Sequence, residues 1–114
     1  MNTGAMIMND PNAQRHLDHF LIGAQQKVNE YHQKNFPTMT PPKIETSAGG
    51  QYIRVISGGK IDRSVYCFID TTNGDILKAA GWKAPTKNDV RGNIMAADYG
   101  LSCVDHHGCI YLRG

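Results

Sequence analysis

The stretch RSVYCFIDTTNGDILKAAGWKAPTKNDVRGN, residues 63–93, decides the fold. Its first part, Arg63 to Asp70, is rich in β-branched and aromatic residues, as a half-buried strand requires. Thr71 to Asp75 then supplies an Asn-Gly pair, which tolerates the positive φ of a tight turn. Ile76 to Ala80 returns as a second strand, so the segment predicts a hairpin. The only tryptophan of the chain, Trp82, follows Gly81 and precedes Lys83-Ala-Pro85, where the backbone must turn. A flat aromatic beside cations in a loop suits a nucleobase carrying phosphates.

Working outward, Lys43 to Ser47 and Gln51 to Ser57 are further β-rich runs, separated by Gly49-Gly50 and followed by Gly58-Gly59. Connections this short exclude parallel crossovers and imply antiparallel neighbours. Tyr52, Arg54 and Ile56 face one way and Ile53 and Val55 the other; Val65, Cys67 and Ile69 oppose Ser64, Tyr66 and Phe68. Apolar residues fall on both faces, so one face is expected to cover a helix and the other a second subunit. That helix is predicted over about Pro11 to Lys34. Asp10-Pro11 is an N-cap followed by proline at the first helical position, and Leu17, Phe20, Leu21, Ala24, Val28 and Tyr31 recur at three-and-four spacing. Between helix and strands, residues 35–42 carry three prolines and read as an extended connector, anchored by Phe36 and Met39. Residues 88–99 are compatible with a short helix capped by Asn88 or Asp89, and Cys109 to Arg113 reads as a last short strand. The expected architecture is α+β: an antiparallel sheet of four to five strands with a long N-terminal amphipathic helix packed on it. Residues 1–9 form a lead-in and residues 10–114 one domain.

A chain of 114 residues with a formal net charge of +2 is an ordinary globular domain, far from the polybasic composition of a duplex-DNA coat. It buries only about two thirds of its unfolded surface, which favours self-association. No apolar run approaches the roughly 20 residues of a membrane span, and no basic-then-apolar leader is visible, so a cytosolic protein is expected. Cys67, Cys103 and Cys109 are an odd number, which argues against a disulfide framework; Cys67 reads as a buried free thiol.

The candidate ligand site gathers Trp82, Lys83, Lys87, Arg91, Asn93 and Arg113. Guanidinium groups bind phosphate oxygens bidentately, and an amide can read a base edge or a ribose hydroxyl. The competing reading makes Trp82 a half-buried packing residue and the cations a solvated turn. Cys103-Val-Asp-His-His-Gly-Cys109 resembles a metal cluster, yet all four ligands would come from one tight loop, whereas structural zinc sites gather pairs from separated segments. It reads as a polar loop with no metal. His16 and His19 lack any HExxH context and read as surface histidines; Asp62, Asp70 and Asp75 serve turns. With no nucleophile elbow, phosphate loop or dinucleotide glycine pattern, no catalytic residue and no cofactor are assigned, and a binding module is expected rather than an enzyme.

Tyr52-Ile-Arg-Val-Ile56, residues 63–70, residues 73–85 and Arg91-Gly-Asn93, with the terminal Tyr-Leu-Arg, resemble a group of small bacteriophage proteins. Within it the chain resembles the Thoeris anti-defence protein one family, homo-oligomeric sponges that hold a cyclic ADP-ribose isomer intact, some also binding cyclic di- or trinucleotides. The resemblance implies a counter-defence protein in the cytoplasm of an infected bacterium, a homodimer or dimer-built hexamer, and pockets lined by two subunits. It assigns base stacking to Trp82, phosphate binding to Arg91 and Arg113 and a polar contact to Asn93; Arg54 and Arg63 are rivals for the phosphate role. Three alternatives remain: a single-stranded nucleic-acid protein stacking bases on Tyr52, Tyr66, Phe68 and Trp82, an enzyme degrading a nucleotide, or an inhibitor of a host protein.

Overall fold

In the computed structural model, which describes residues 9–58 and 63–110, the Asp10 carboxylate accepts the Asn12 N–H and starts α1, Pro11–Asn35, with proline in its first turn. The helix buries Ala13, Phe20, Ala24 and Val28 along one stripe, the face its spacing predicts. The chain then runs through the proline-rich connector. Phe36 and Met39 are exposed there rather than anchoring it, and the Phe36 ring lies against those of Tyr31 and His32 at the helix end. Gln25 does the anchoring instead: its side chain donates to Pro42 O and accepts from Ile44 N–H at 2.9 and 2.7 Å.

Five strands follow as an antiparallel meander in chain order: β1 Ile44–Gly49, β2 Tyr52–Gly58, β3 Arg63–Asp70, β4 Asp75–Ala79 and β5 Pro85–Asn93. The β3–β4 turn is the Asn-Gly turn of the sequence, with Gly74 at φ +83° and Asp70 accepting from the Thr72 N–H and hydroxyl. A two-stranded hairpin, β6 Val104–Asp105 and β7 Gly108–Cys109, completes the fold after a 3₁₀ turn, Leu101–Cys103. The architecture is therefore α+β, one helix on an antiparallel sheet.

The helix expected over residues 88–99 is instead β5 followed by turns. Asn, Asp and Gly are depleted in strands and drew the reading away from β. Tertiary pairing overrides them: β5 is a sheet edge, bonded among the described strands to β4 alone. Register shifts between Ile76 and Leu77 and between Leu77 and Ala79 absorb the poor fit. Ile94, fully buried, then ties the chain back by donating its N–H to Gly74 O at 2.9 Å.

A second irregularity organises the core. Val55 pairs with Cys67 but Ile56 with Val65, which leaves Tyr66 as the extra residue of a β-bulge in β3. A bulge sends two consecutive side chains to one face, so Tyr66 and Cys67 both enter the helix-side core with Phe20, Val28 and Ile69. Strict alternation had put Tyr66 on the other face. Its buried hydroxyl donates to Asp105 O, and burial pushes its pKa far up, so it stays a donor. The β6–β7 hairpin packs directly on this bulge. Gly108, at φ +121°, comes so close that an added Cβ would stand 2.2 Å from Tyr66 O.

Candidate functional site

Helix α1 and the β6–β7 hairpin share the inner face of the sheet. Alternation from the bulge onward brings Arg54, Phe68, Leu77 and Val90 side by side on the outer face, since Arg54 pairs with Phe68, Phe68 with Leu77 and Leu77 with Val90. The β4–β5 connection folds back over this row, closed by the Ala80 and Gly81 N–H groups donating to Ala84 O. Trp82 thereby reaches across β3 to β2, where the Arg54 Nε–H donates to Trp82 O at 2.7 Å.

Two guanidinium groups flank that indole. The Arg54 carbon Cζ lies 4.9 Å and that of Arg63 5.7 Å from the Trp82 ring, and Arg54 also lies 5.8 Å from the Phe68 ring. These are cation–π distances. Trp82 remains 43% exposed, while Phe68, which shares the Arg54 guanidinium with it, is only 2% exposed. The tryptophan is thus half-buried, with part of its ring left at the surface. Lys83 lines a small adjoining hollow of about 60 Å³ with Ser47, Tyr52, Arg54 and Phe68. Arg91 has its carboxylate partner in Asp89, whereas Arg54, Arg63 and Lys83 carry positive charge with no carboxylate partner among the described residues.

The rest of the predicted constellation is elsewhere. Arg91 is bound to Asp89 through two N–H···O bonds of 3.0 and 2.9 Å and donates to Ile110 O. Residues two apart share a strand face but not a helix face, so this pair exists because β5 is a strand. The Asp89 hydrogen bond raises the Arg91 pKa and lowers that of Asp89. Asn93 is a turn residue: its amide donates to Asn73 O and Asp75 Oδ1 and its oxygen accepts from Met95 N–H. It sits at the end of β5 away from Trp82. Arg113 lies outside the described residues, as does the side chain of Lys87.

A larger hollow, about 470 Å³, lies at the C-terminal end of α1, lined among others by Lys27, Glu30, Lys34, Asp105 and His106. Nothing in the sequence announced it, because Tyr31 and His106 are far apart in the chain yet stack at 3.5 Å between ring centroids. Burial first, and then His107, hold the His106 pKa below the ordinary imidazole value. Its charges nearly cancel, and Lys27 is already spent on Leu101 O and Val104 O, each at 2.9 Å. The hollow has room but no surplus charge; the outer face has surplus charge but little room. Among the described residues no group of three or more His, Cys, Asp or Glu is placed to hold a metal. His16 and His19 work against Tyr99 instead, His19 stacked on it at 4.5 Å and His16 hydrogen-bonded to Ile94 O at 2.7 Å. No described helix is long and apolar enough to cross a membrane.

A family model described as a family of unknown function (DUF7717) matches residues 9–112, and the chain belongs to that family. No curated protein and no solved structure matches it.

Proposed function

We propose that this protein is a non-catalytic binding module that sequesters a small anionic nucleotide of the cyclic class on the outer face of its sheet. The observation that carries the reading is the pairing of Arg54 and Arg63 with Trp82, two guanidinium groups on one half-exposed indole with no carboxylate partner among the described residues. Guanidinium planes grip phosphate oxygens bidentately, and an exposed indole edge or face receives a base. Lys83 at the rim adds a point charge. Arg54 and Arg63, rather than Arg91 with its own carboxylate, supply the phosphate contacts.

The hollow of about 60 Å³ is far smaller than the roughly 300–1,000 Å³ of a small-molecule pocket, so one copy makes half a site. A second copy laid on the outer face would roof it and cover the exposed apolar surface of Val90 and Trp82. This is the homo-oligomer that the sequence resemblance implies, and a counter-defence sponge in an infected bacterial cytoplasm is the role it fits. A single-stranded nucleic-acid platform is less well supported, because Tyr66, one of its four aromatics, is buried on the opposite face.

The test is calorimetric titration with cyclic ADP-ribose isomers and cyclic di- and trinucleotides, followed by heat release and mass analysis of the bound compound. Saturable binding, with the ligand recovered intact and lost in Arg54→Ala, is the expected result. Silence across the panel, or turnover of ligand by sub-stoichiometric protein, would overturn the proposal.

A further inference from the structure

On the helix side of the sheet, two of the three cysteines meet. Val104 pairs with Cys109 across β6–β7, and the next rung is closed by the Ile110 N–H donating to Cys103 O at 2.9 Å. The two cysteines therefore stand on adjacent rungs of one short hairpin. Both side chains pack against the same helix-side core.

Cys103 packs against the core but keeps an accessible side with cations close by. Cys103 is partly exposed and lines a hollow of about 250 Å³ with Arg91, Ser102 and Ile110. Arg91 is held at this hollow by Asp89 and by Ile110 O, and the Lys27 ammonium is fixed on the carbonyls of Leu101 and Val104 either side of Cys103. Asp98 opposes them with one negative charge. β5 also leaves room for the sulfur: at Gly92 an added Cβ would stand 2.9 Å from Cys103 Sγ. Thiolates form where cations and hydrogen-bond donors converge on an accessible sulfur. The direction of titration agrees: the Cys109 hydrogen bond holds the Cys103 thiol below its ordinary value, and the same bond holds Cys109 above. Cys67, fully buried and pushed up by burial, is the inert member.

We propose that Cys103 and Cys109 are a reactive dithiol that exchanges with small-molecule disulfides of the glutathione class, with Cys103 as the attacking and Cys109 as the resolving thiol. The Cys103 thiolate attacks one sulfur of the disulfide. Its S–S bond breaks, one thiolate leaves, and a mixed disulfide remains on Cys103. Cys109 gives up its proton and attacks Cys103 Sγ, which releases the second small thiolate and closes the Cys103–Cys109 bond. One S–S bond is lost and one gained, two protein thiols are oxidised, and the two released thiolates take up the two protons. The closed bridge locks the hairpin that carries His106 and His107.

The experiment equilibrates the folded protein with oxidised and reduced glutathione at graded ratios, traps free thiols by alkylation in acid, and maps the products. Cleavage before Asp105 separates the two cysteines, so a bridge appears as two linked peptides. The expected result is that bridge, with Cys67 remaining reduced. With Cys109→Ser the glutathione adduct should accumulate on Cys103 about tenfold faster than it does on Cys109 in Cys103→Ser, and the difference should vanish in denaturant, where both thiols approach an ordinary pKa of about 8.5. Two thiols that stay alkylatable in oxidised glutathione, or equal adduct formation in the two folded variants, would overturn the assignment. The native protein reports bridge formation even if a serine variant misfolds.

Discussion

The two faces of the sheet are built on opposite rules. On the inner face nearly every buried polar group has its partner: the Tyr66 hydroxyl finds Asp105 O, Lys27 finds two carbonyls, and His16 finds Ile94 O. Phe20, Ala24, Cys67 and Ile69 pack between them with no exposure at all. On the outer face a buried Phe68 and a half-exposed Trp82 share the Arg54 guanidinium, and the cations there are left without carboxylates among the described residues. Unpaired charge beside exposed aromatic surface is a poor way to stabilise a monomer and a good way to receive an anionic partner. The contrast teaches that the satisfied polar groups lie on one side of this sheet, and that the proposed recognition would fall to the other.

Three substitutions should break that contrast if it is wrong. Phe20→Ala empties a fully buried site and should cost about 3–5 kcal/mol of stability, read from urea unfolding midpoints. Lys27→Met, which strips two carbonyls of their donor, should cost about 1–3 kcal/mol and leave ligand titration unchanged. Trp82→Ala should lower stability by only about 1–2 kcal/mol, the worth of a half-buried side chain. Loss of a stacked base should nevertheless weaken ligand binding by about 10- to 100-fold. If Trp82→Ala unfolds the protein as Phe20→Ala does, the outer face is a second core.

Much of the inner face was legible in the sequence. The helix face from Leu17 to Val28, the Asp10 cap and the Asn73-Gly74 turn follow from period and local chemistry, which act over a few residues. The four strands up to Ala79 were readable for the same reason. What was not readable depends on pairing between distant segments. The Tyr66 bulge exists only in the register with β2, and β5 is a strand because β4 holds it, against the propensities of Asn88, Asp89 and Gly92. The site suffered the same fate. Trp82 and Lys83 were recognisable as a loop constellation, and Arg54 and Arg63 stood as rivals, but only the fold-back of the β4–β5 connection decides which arginines reach the indole. Arg91 and Asn93 shared a neighbourhood in sequence and went to the other end of a long strand.

The smallest effect tests how the inner face ends. Asp98 accepts the N–H groups of Gly100 and Ser102 at 2.9 and 3.0 Å and so closes the turn that leads into the β6–β7 hairpin. The Ser102 side-chain bond first, and then these backbone bonds, hold its pKa below the ordinary carboxylate value. A depressed folded-state pKa means that ionised Asp98 favours the folded chain above the unfolded value of about 3.9, and that this advantage fades as pH falls through the lower, folded value. Asp98→Asn keeps one acceptor oxygen and loses the charge. Its unfolding midpoint should therefore lie slightly below that of the native chain at pH 7, and the two should converge below about pH 4. Asp89 is depressed in the same direction by Arg91, but it is present in both proteins and cancels from the difference. A gap that persists in acid would mean that the Asp98 turn acts through its geometry and not its charge. The inner face would then owe its order to hydrogen bonding and packing alone, leaving the outer face as the part of the molecule where charge decides the outcome.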